Sequence, residues 1–138
     1  MRRALVLCCV VLVAALSACG KDADNGSAPS SDGTALTITV VADEGAAPRT
    51  YELECDPAGG DHPQPAEACS ALAKAGAEVF EPVGEGQACT DIFGGPQTAT
   101  VTGTFEGDEV DAEFSRADGC EIDRWEQLGT TFFDVPLQ

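Results

Sequence analysis

The stretch Gln97-Thr98-Ala99-Thr100-Val101-Thr102-Gly103-Thr104-Phe105-Glu106-Gly107-Asp108-Glu109-Val110-Asp111-Ala112-Glu113-Phe114-Ser115 decides the fold. Thr98, Thr100, Thr102 and Thr104 alternate with Ala99, Val101, Gly103 and Phe105, so one face is polar and the other is small or apolar. After Glu106-Gly107-Asp108 the alternation resumes, with Val110, Ala112 and Phe114 inward and Glu109, Asp111 and Glu113 outward. Side chains of a strand point to opposite faces in turn, so two such runs joined by a short Gly-containing turn are a β-hairpin.

Working outward, Leu36, Ile38 and Val40 alternate with Thr37 and Thr39 as a half-buried strand. Tyr51, Leu53 and Cys55 alternate with Glu52 and Glu54 as a second strand, antiparallel to the first if Asp43 to Pro48 is the turn. Ala66 to Lys74 is alanine-rich, and Cys69, Leu72, Ala73 and Gly76 recur at helical spacing, which points Cys69 toward the strand carrying Cys55. Downstream of the hairpin, Asp118 followed three residues later by Glu121 has the spacing of a capping box. Ile122, Trp125 and Leu128 give the ensuing helix one apolar face, Gly129 ends it, and Thr131 to Val135 is read as a last strand. The expected fold class is α+β: an antiparallel sheet of about five strands with two short helices on one face.

The N-terminus reads as an export signal. Arg2 and Arg3 precede an apolar run from Ala4 to Leu16. At about 13 residues this run is too short to span a bilayer and suits a signal-peptide core. Leu16-Ser17-Ala18-Cys19 resembles the bacterial lipobox, which implies cleavage before Cys19 and lipid attachment to its sulfur. The expected division is a signal peptide over 1–18, a lipidated Cys and flexible Gly/Ser/Asp/Pro-rich tether over 19–33, and one folded domain over 34–138. The protein is thus expected at the outer face of the cell membrane, or secreted.

Of seven Cys, Cys8 and Cys9 leave with the signal and Cys19 carries the lipid, so Cys55, Cys69, Cys89 and Cys120 remain. Four Cys in an exported domain imply two disulfides with three possible connectivities. Sequential pairing, Cys55–Cys69 and Cys89–Cys120, closes the shortest loops and is preferred. Each closed loop of that size stabilises by roughly 3 to 4 kcal/mol in the chain-entropy model. A structural zinc site does not suit the spacing, since no pair of these Cys is two to four residues apart.

The formal charge of the 138-residue chain is −17, and loss of Arg2 and Arg3 with the signal makes it more negative still. Such a surface excludes nucleic acid and an electrostatic grip on anionic lipid. Catalysis is not expected either: His62 is the single His, sits between Asp61 and Pro63 and reads as an exposed loop residue, and there is no Gly-x-Ser-x-Gly elbow. No EF-hand spacing is present, so no cofactor or metal is assigned.

The order of these features resembles the Streptomyces subtilisin inhibitor family. The resemblance is carried by Thr50-Tyr51-Glu52-Leu53-Glu54-Cys55, Pro65-Ala66-Glu67-Ala68-Cys69-Ser70-Ala71-Leu72, Ala88-Cys89-Thr90, Gly94-Gly95-Pro96, Val101-Thr102-Gly103-Thr104-Phe105-Glu106-Gly107 and Gly119-Cys120-Glu121. It extends from about Ala35 to Phe133. It implies a proteinaceous inhibitor of subtilisin-like serine endopeptidases whose bait loop enters the protease active site, and a homodimer paired through the sheet. Carried over residue by residue, the reactive bond falls between Asp91 and Ile92, with Ala88, Cys89 and Thr90 before it and Phe93 after Ile92. Here the sequence departs from the pattern: Cys89 to Pro96 is one residue longer, with Gly94-Gly95 taking up the length. A one-residue slip would put Ile92 in the primary position instead. Asp91 is also an unusual primary residue, since subtilisin pockets take large apolar or basic groups. The reading from another class is a non-inhibitory cell-surface lipoprotein on the same scaffold, serving envelope binding or metal buffering.

Overall fold

The computed structural model describes residues 33–136. The expected signal peptide, Cys19 and the tether up to residue 32 lie outside the described residues. Five strands, β1 (Thr34–Val41), β2 (Arg49–Cys55), β3 (Gly59–Gly60), β4 (Thr98–Phe105) and β5 (Asp108–Phe114), form one antiparallel sheet in the order β3-β2-β1-β4-β5. Two helices, α1 (Pro65–Ala75) and α2 (Gly119–Phe133), and a 3₁₀ turn (Ala77–Phe80) complete it. The α+β expectation therefore holds, and so do both preferred disulfides, Cys55–Cys69 and Cys89–Cys120.

The period-2 pattern translates directly into the core. On β1, Leu36, Ile38 and Val40 are buried; on β4, Ala99, Val101 and Phe105; on β5, Val110, Ala112 and Phe114. Phe105 pairs with Asp108, so Glu106 and Gly107 alone make the turn. Both have positive φ, 51° and 90°, the conformation of a type I′ hairpin whose twist matches its strands. The polar Thr face of β4 meets Thr37 and Thr39 of β1 in register, Thr37 opposite Thr102 and Thr39 opposite Thr100.

Helix α1 begins with Pro65, whose missing N–H costs nothing in the first turn, and buries Ala68 and Leu72. Helix α2 is capped by Asp118, whose carboxylate accepts from Glu121 N–H at 3.0 Å. Trp125, Leu128, Phe132 and Phe133 pack inward from α2. The Trp125 and Phe133 rings stack 4.0 Å apart, and Phe114 meets Phe133 edge-on at 5.3 Å.

Three expectations need correction. The last strand, placed at Thr131 to Val135, is instead the end of α2: the helix breaks at Gly129 (φ 76°, ψ 179°) and resumes to Phe133. The reason is steric: the neighbouring Phe132 and Phe133 are both fully buried, and a strand would send one of them to the opposite face. The fifth strand is β3, two glycines long, beside β2. Third, His62 is 4% exposed, not a surface residue. Its Nε2 donates to the Phe132 carbonyl at 2.9 Å, and its Nδ1 accepts from Gln64 N–H at 3.1 Å, so both ring nitrogens have partners.

The far end of α2 is fastened to β2 by polar contacts. Tyr51 donates its hydroxyl to Asp134 Oδ2 at 3.0 Å, and Arg49 reaches Asp134 Oδ2 at 3.2 Å and its carbonyl at 2.7 Å. Deeper in, Arg124 donates to the Val79 carbonyl through Nε and Nη2, and through Nη1 to the Glu113 carbonyl and Glu121 Oε2. One guanidinium thereby joins the 3₁₀ turn, β5 and α2, with its face 4.7 Å from the Phe114 ring centre.

Two outcomes test this packing. Phe133→Ala should cost about 3–5 kcal/mol, read as a lower denaturant midpoint at unchanged slope. Desolvation of the half-buried phenol, and then its hydrogen bond to Asp134, raise the Tyr51 pKa above the ordinary value. The fold thus favours the neutral phenol; that contribution is full below about pH 10 and is lost as pH rises through the folded value. Tyr51 is the single Tyr, so phenolate absorbance reports it cleanly. Stability should fall as that absorbance grows, and Tyr51→Phe should flatten the alkaline decline.

Candidate functional site

The segment between the 3₁₀ turn and β4 carries no helix or strand of its own, yet its middle is held at both ends. On one side, the Cys89–Cys120 disulfide ties it to the first turn of α2, with Cα atoms 5.4 Å apart. One residue on, Gly119 donates its N–H to the Thr90 carbonyl at 2.9 Å. The first N–H groups of a helix have no partner within it, so this donor is free for the loop. A Cβ on Gly119 would collide with Thr90 Oγ1 as it stands, so a larger residue there would make the Thr90 side chain turn away.

On the other side, Gly94 is gripped by Arg116. Gly94 N–H donates to the Arg116 carbonyl at 2.8 Å, and Arg116 Nε donates to the Gly94 carbonyl at 3.0 Å. Arg116 is 7% exposed, and its Nη1 is buried without a partner among the described residues. The segment from β5 to α2 thus supplies both clamps, Arg116 for the exit of the loop and Gly119 and Cys120 for its entrance.

Between the clamps stand Asp91, Ile92 and Phe93, all exposed. Ile92 is 58% and Phe93 71% exposed, and they are the large hydrophobics so exposed among the described residues. On an acidic molecule whose other large apolar groups are covered, adjacent exposed Ile and Phe form an apolar pair open to solvent. Ile92 N–H donates back to the Thr90 carbonyl at 2.8 Å, folding a tight turn centred on Asp91. The Asp91 carboxylate forms no ion pair among the described residues.

Ala88, Cys89, Thr90, Asp91, Ile92 and Phe93, the residues the family resemblance implies for a bait loop, follow one another in a single largely exposed loop. The structure adds two residues to which sequence reasoning gave no role at the loop, Arg116 and Gly119. Their signal is faint: a lone Arg after a strand reads as surface, and a Gly at a helix start reads as a cap. Cys89, Asp118 and Cys120 lie close enough to suggest a metal cluster. Both sulfurs are tied in the disulfide, however, so no thiolate is present to ligate.

Residues 32–117 match the model of the subtilisin inhibitor-like family. The chain is 35% identical over 126 residues to a subtilase-type protease inhibitor of Streptomyces fradiae, covering 86% of this chain and 88% of that protein. It is 34% identical over 82 residues to subtilisin inhibitor-like protein 1 of Streptomyces cacaoi, covering 56% of this chain and 74% of that protein. Among solved structures it is similar to Streptomyces caespitosus sermetstatin, crystallised in complex with Bacillus licheniformis subtilisin, at 25% identity and a TM-score of 0.46, over 73% of this chain and 96% of that one. With the family model spanning most of the chain and a relative aligned along nearly its whole length, this protein belongs to the subtilisin inhibitor-like family.

Proposed function

We propose that this protein inhibits subtilisin-type serine proteases by presenting Ala88 to Phe93 as a substrate that does not leave. The observation that carries the reading is the doubly clamped loop, on a scaffold of that family, with Asp91, Ile92 and Phe93 held out between Thr90 and Gly94. A protease binds its substrate extended, as a strand added to its own. A loop already fastened by a disulfide and three hydrogen bonds gives up little freedom on docking, so more of the contact energy appears as affinity.

The scissile bond in this reading is Asp91–Ile92. The enzyme's Ser Oγ attacks the Asp91 carbonyl carbon, its His takes the Ser proton, and the same His returns that proton to the departing Ile92 nitrogen. In an ordinary substrate the new amine diffuses away. Here the Ile92 end stays attached through Gly94 and the Arg116 clamp, while the Asp91 end stays attached through Cys89–Cys120. The amine remains beside the acyl group, and resynthesis competes with hydrolysis.

The two disulfides fit an oxidising compartment, and an exported protein is consistent with that. We extend the proposal to a lipid anchor on Cys19, which would hold the inhibitor at the outer membrane face, and to a homodimer paired through the Thr-rich face of β1 and β4. Metabolic labelling with fatty acid, lost in Cys19→Ala, and mass in solution at micromolar concentration test these two points.

Inhibition itself is tested by titrating the oxidised protein against a panel of subtilisin-like proteases while following intact mass. Stoichiometric loss of enzyme activity is expected, with any cut confined to Asp91–Ile92. No loss of activity across the panel would favour the non-inhibitory binding module on the same scaffold. The double variant Cys89→Ser/Cys120→Ser should retain the Trp125-centred core yet be cleaved at the loop at least ~10-fold faster, turning an inhibitor into a substrate.

A further inference from the structure

We infer that Asp91 is the specificity residue and that the target is a serine protease whose primary pocket is cationic, one that cleaves after acidic residues. This rests on the inhibitor reading above and goes on to name the kind of enzyme it fits.

The backbone selects the register. The residue that fills a primary pocket turns its own N–H toward the enzyme strand and its carbonyl toward the oxyanion hole. Ile92 N–H is already committed to the Thr90 carbonyl at 2.8 Å, so Ile92 in the pocket would have to give up that bond. Asp91 N–H has no backbone partner among the described residues, and nothing needs to break for it to pair with the enzyme. With Asp91 in the pocket, the Ile92 bond instead steadies the nitrogen that departs and returns.

Charge then selects the pocket. A carboxylate taken out of water needs a counter-charge. The inhibitor brings none: Asp91 forms no ion pair among the described residues. The cation closest to the loop in function, Arg116, is buried with its Nε on the Gly94 carbonyl. Asp123 lines the same shallow hollow as Thr90 and Ile92, and Asp118 lies against Cys89, so the ground around the loop is itself acidic. The positive charge must come from the partner. On the leaving side the same partner meets Ile92 and Phe93, which calls for an apolar surface next to the cationic pocket.

The experiment compares the oxidised protein with Asp91→Asn and Asp91→Leu against two enzymes, subtilisin with its apolar pocket and a serine endopeptidase that cleaves after Asp or Glu. Retained disulfides and Trp125 fluorescence check that each variant is folded. The unaltered protein should inhibit the acid-selective enzyme at least about a hundredfold more tightly than subtilisin, Asp91→Asn should lose most of that preference, and Asp91→Leu should reverse it. Tight inhibition of subtilisin by the unaltered protein, unchanged in Asp91→Asn, would overturn the assignment while leaving the inhibitor reading intact. Inhibition of neither enzyme by any of the three proteins would overturn both together.

Discussion

The covalent link from Cys89 to Cys120 is the constraint on which the exposed loop depends. A disulfide alone would only tether the loop; what makes the tether stiff is the element at its other end. Cys120 is the second residue of α2, and α2 is fixed on the sheet by Trp125, Leu128, Phe132 and Phe133, all buried. The Asp118 cap keeps the first turn of α2 formed, which in turn aims Gly119 N–H at Thr90. Rigidity therefore flows from the core through the helix into a stretch of chain with no regular structure. Loss of packing at Phe133 and loss of the disulfide reach the loop by the same route.

Arg116 does for the exit of the loop what the helix does for its entrance, and it does so from inside the protein. Burying a guanidinium is costly unless its donors are used; here Nε is spent on a backbone carbonyl, while Nη1 is buried without a partner among the described residues. Arg124 spends its own charge in the same manner on Val79, Glu113 and Glu121. The two arginines act as crosslinks between segments that share no strand pairing: loop to connection, and 3₁₀ turn to sheet edge to helix.

The parts legible in the sequence were those set by a repeat. Period-2 alternation placed β1, β2, β4 and β5 and their buried residues, and the Glu106-Gly107 turn closed the central hairpin. Counting exported cysteines led to the right pairs, and Asp118 marked the start of α2. What the sequence hid were interactions without a period. Phe132-Phe133 looks like strand until Trp125 is known to stack on Phe133. His62 looks like loop until the Phe132 carbonyl is seen beside it. An Arg side chain is long enough that its position in the chain says little about where its head group ends, so the Arg116 clamp had no advance signature. The loop residues were implied by the family resemblance, not by any period, and the bond from Ile92 to Thr90 became visible only in three dimensions.

The inward placement of Arg116 and Arg124 has a consequence for the molecule as an electrolyte. Of the cations among the described residues, these two lie inside and only Arg49 and Lys74 remain on the surface, in a chain of formal charge −17. Half of the cations among the described residues are thus internal, and the surface they leave is neutralised largely by small cations borrowed from solution. Contact with a basic surface sets those ions free, an entropy gain that shrinks as the surrounding salt thickens. The same ion atmosphere keeps acidic copies apart in dilute salt and lets them approach as it is compressed.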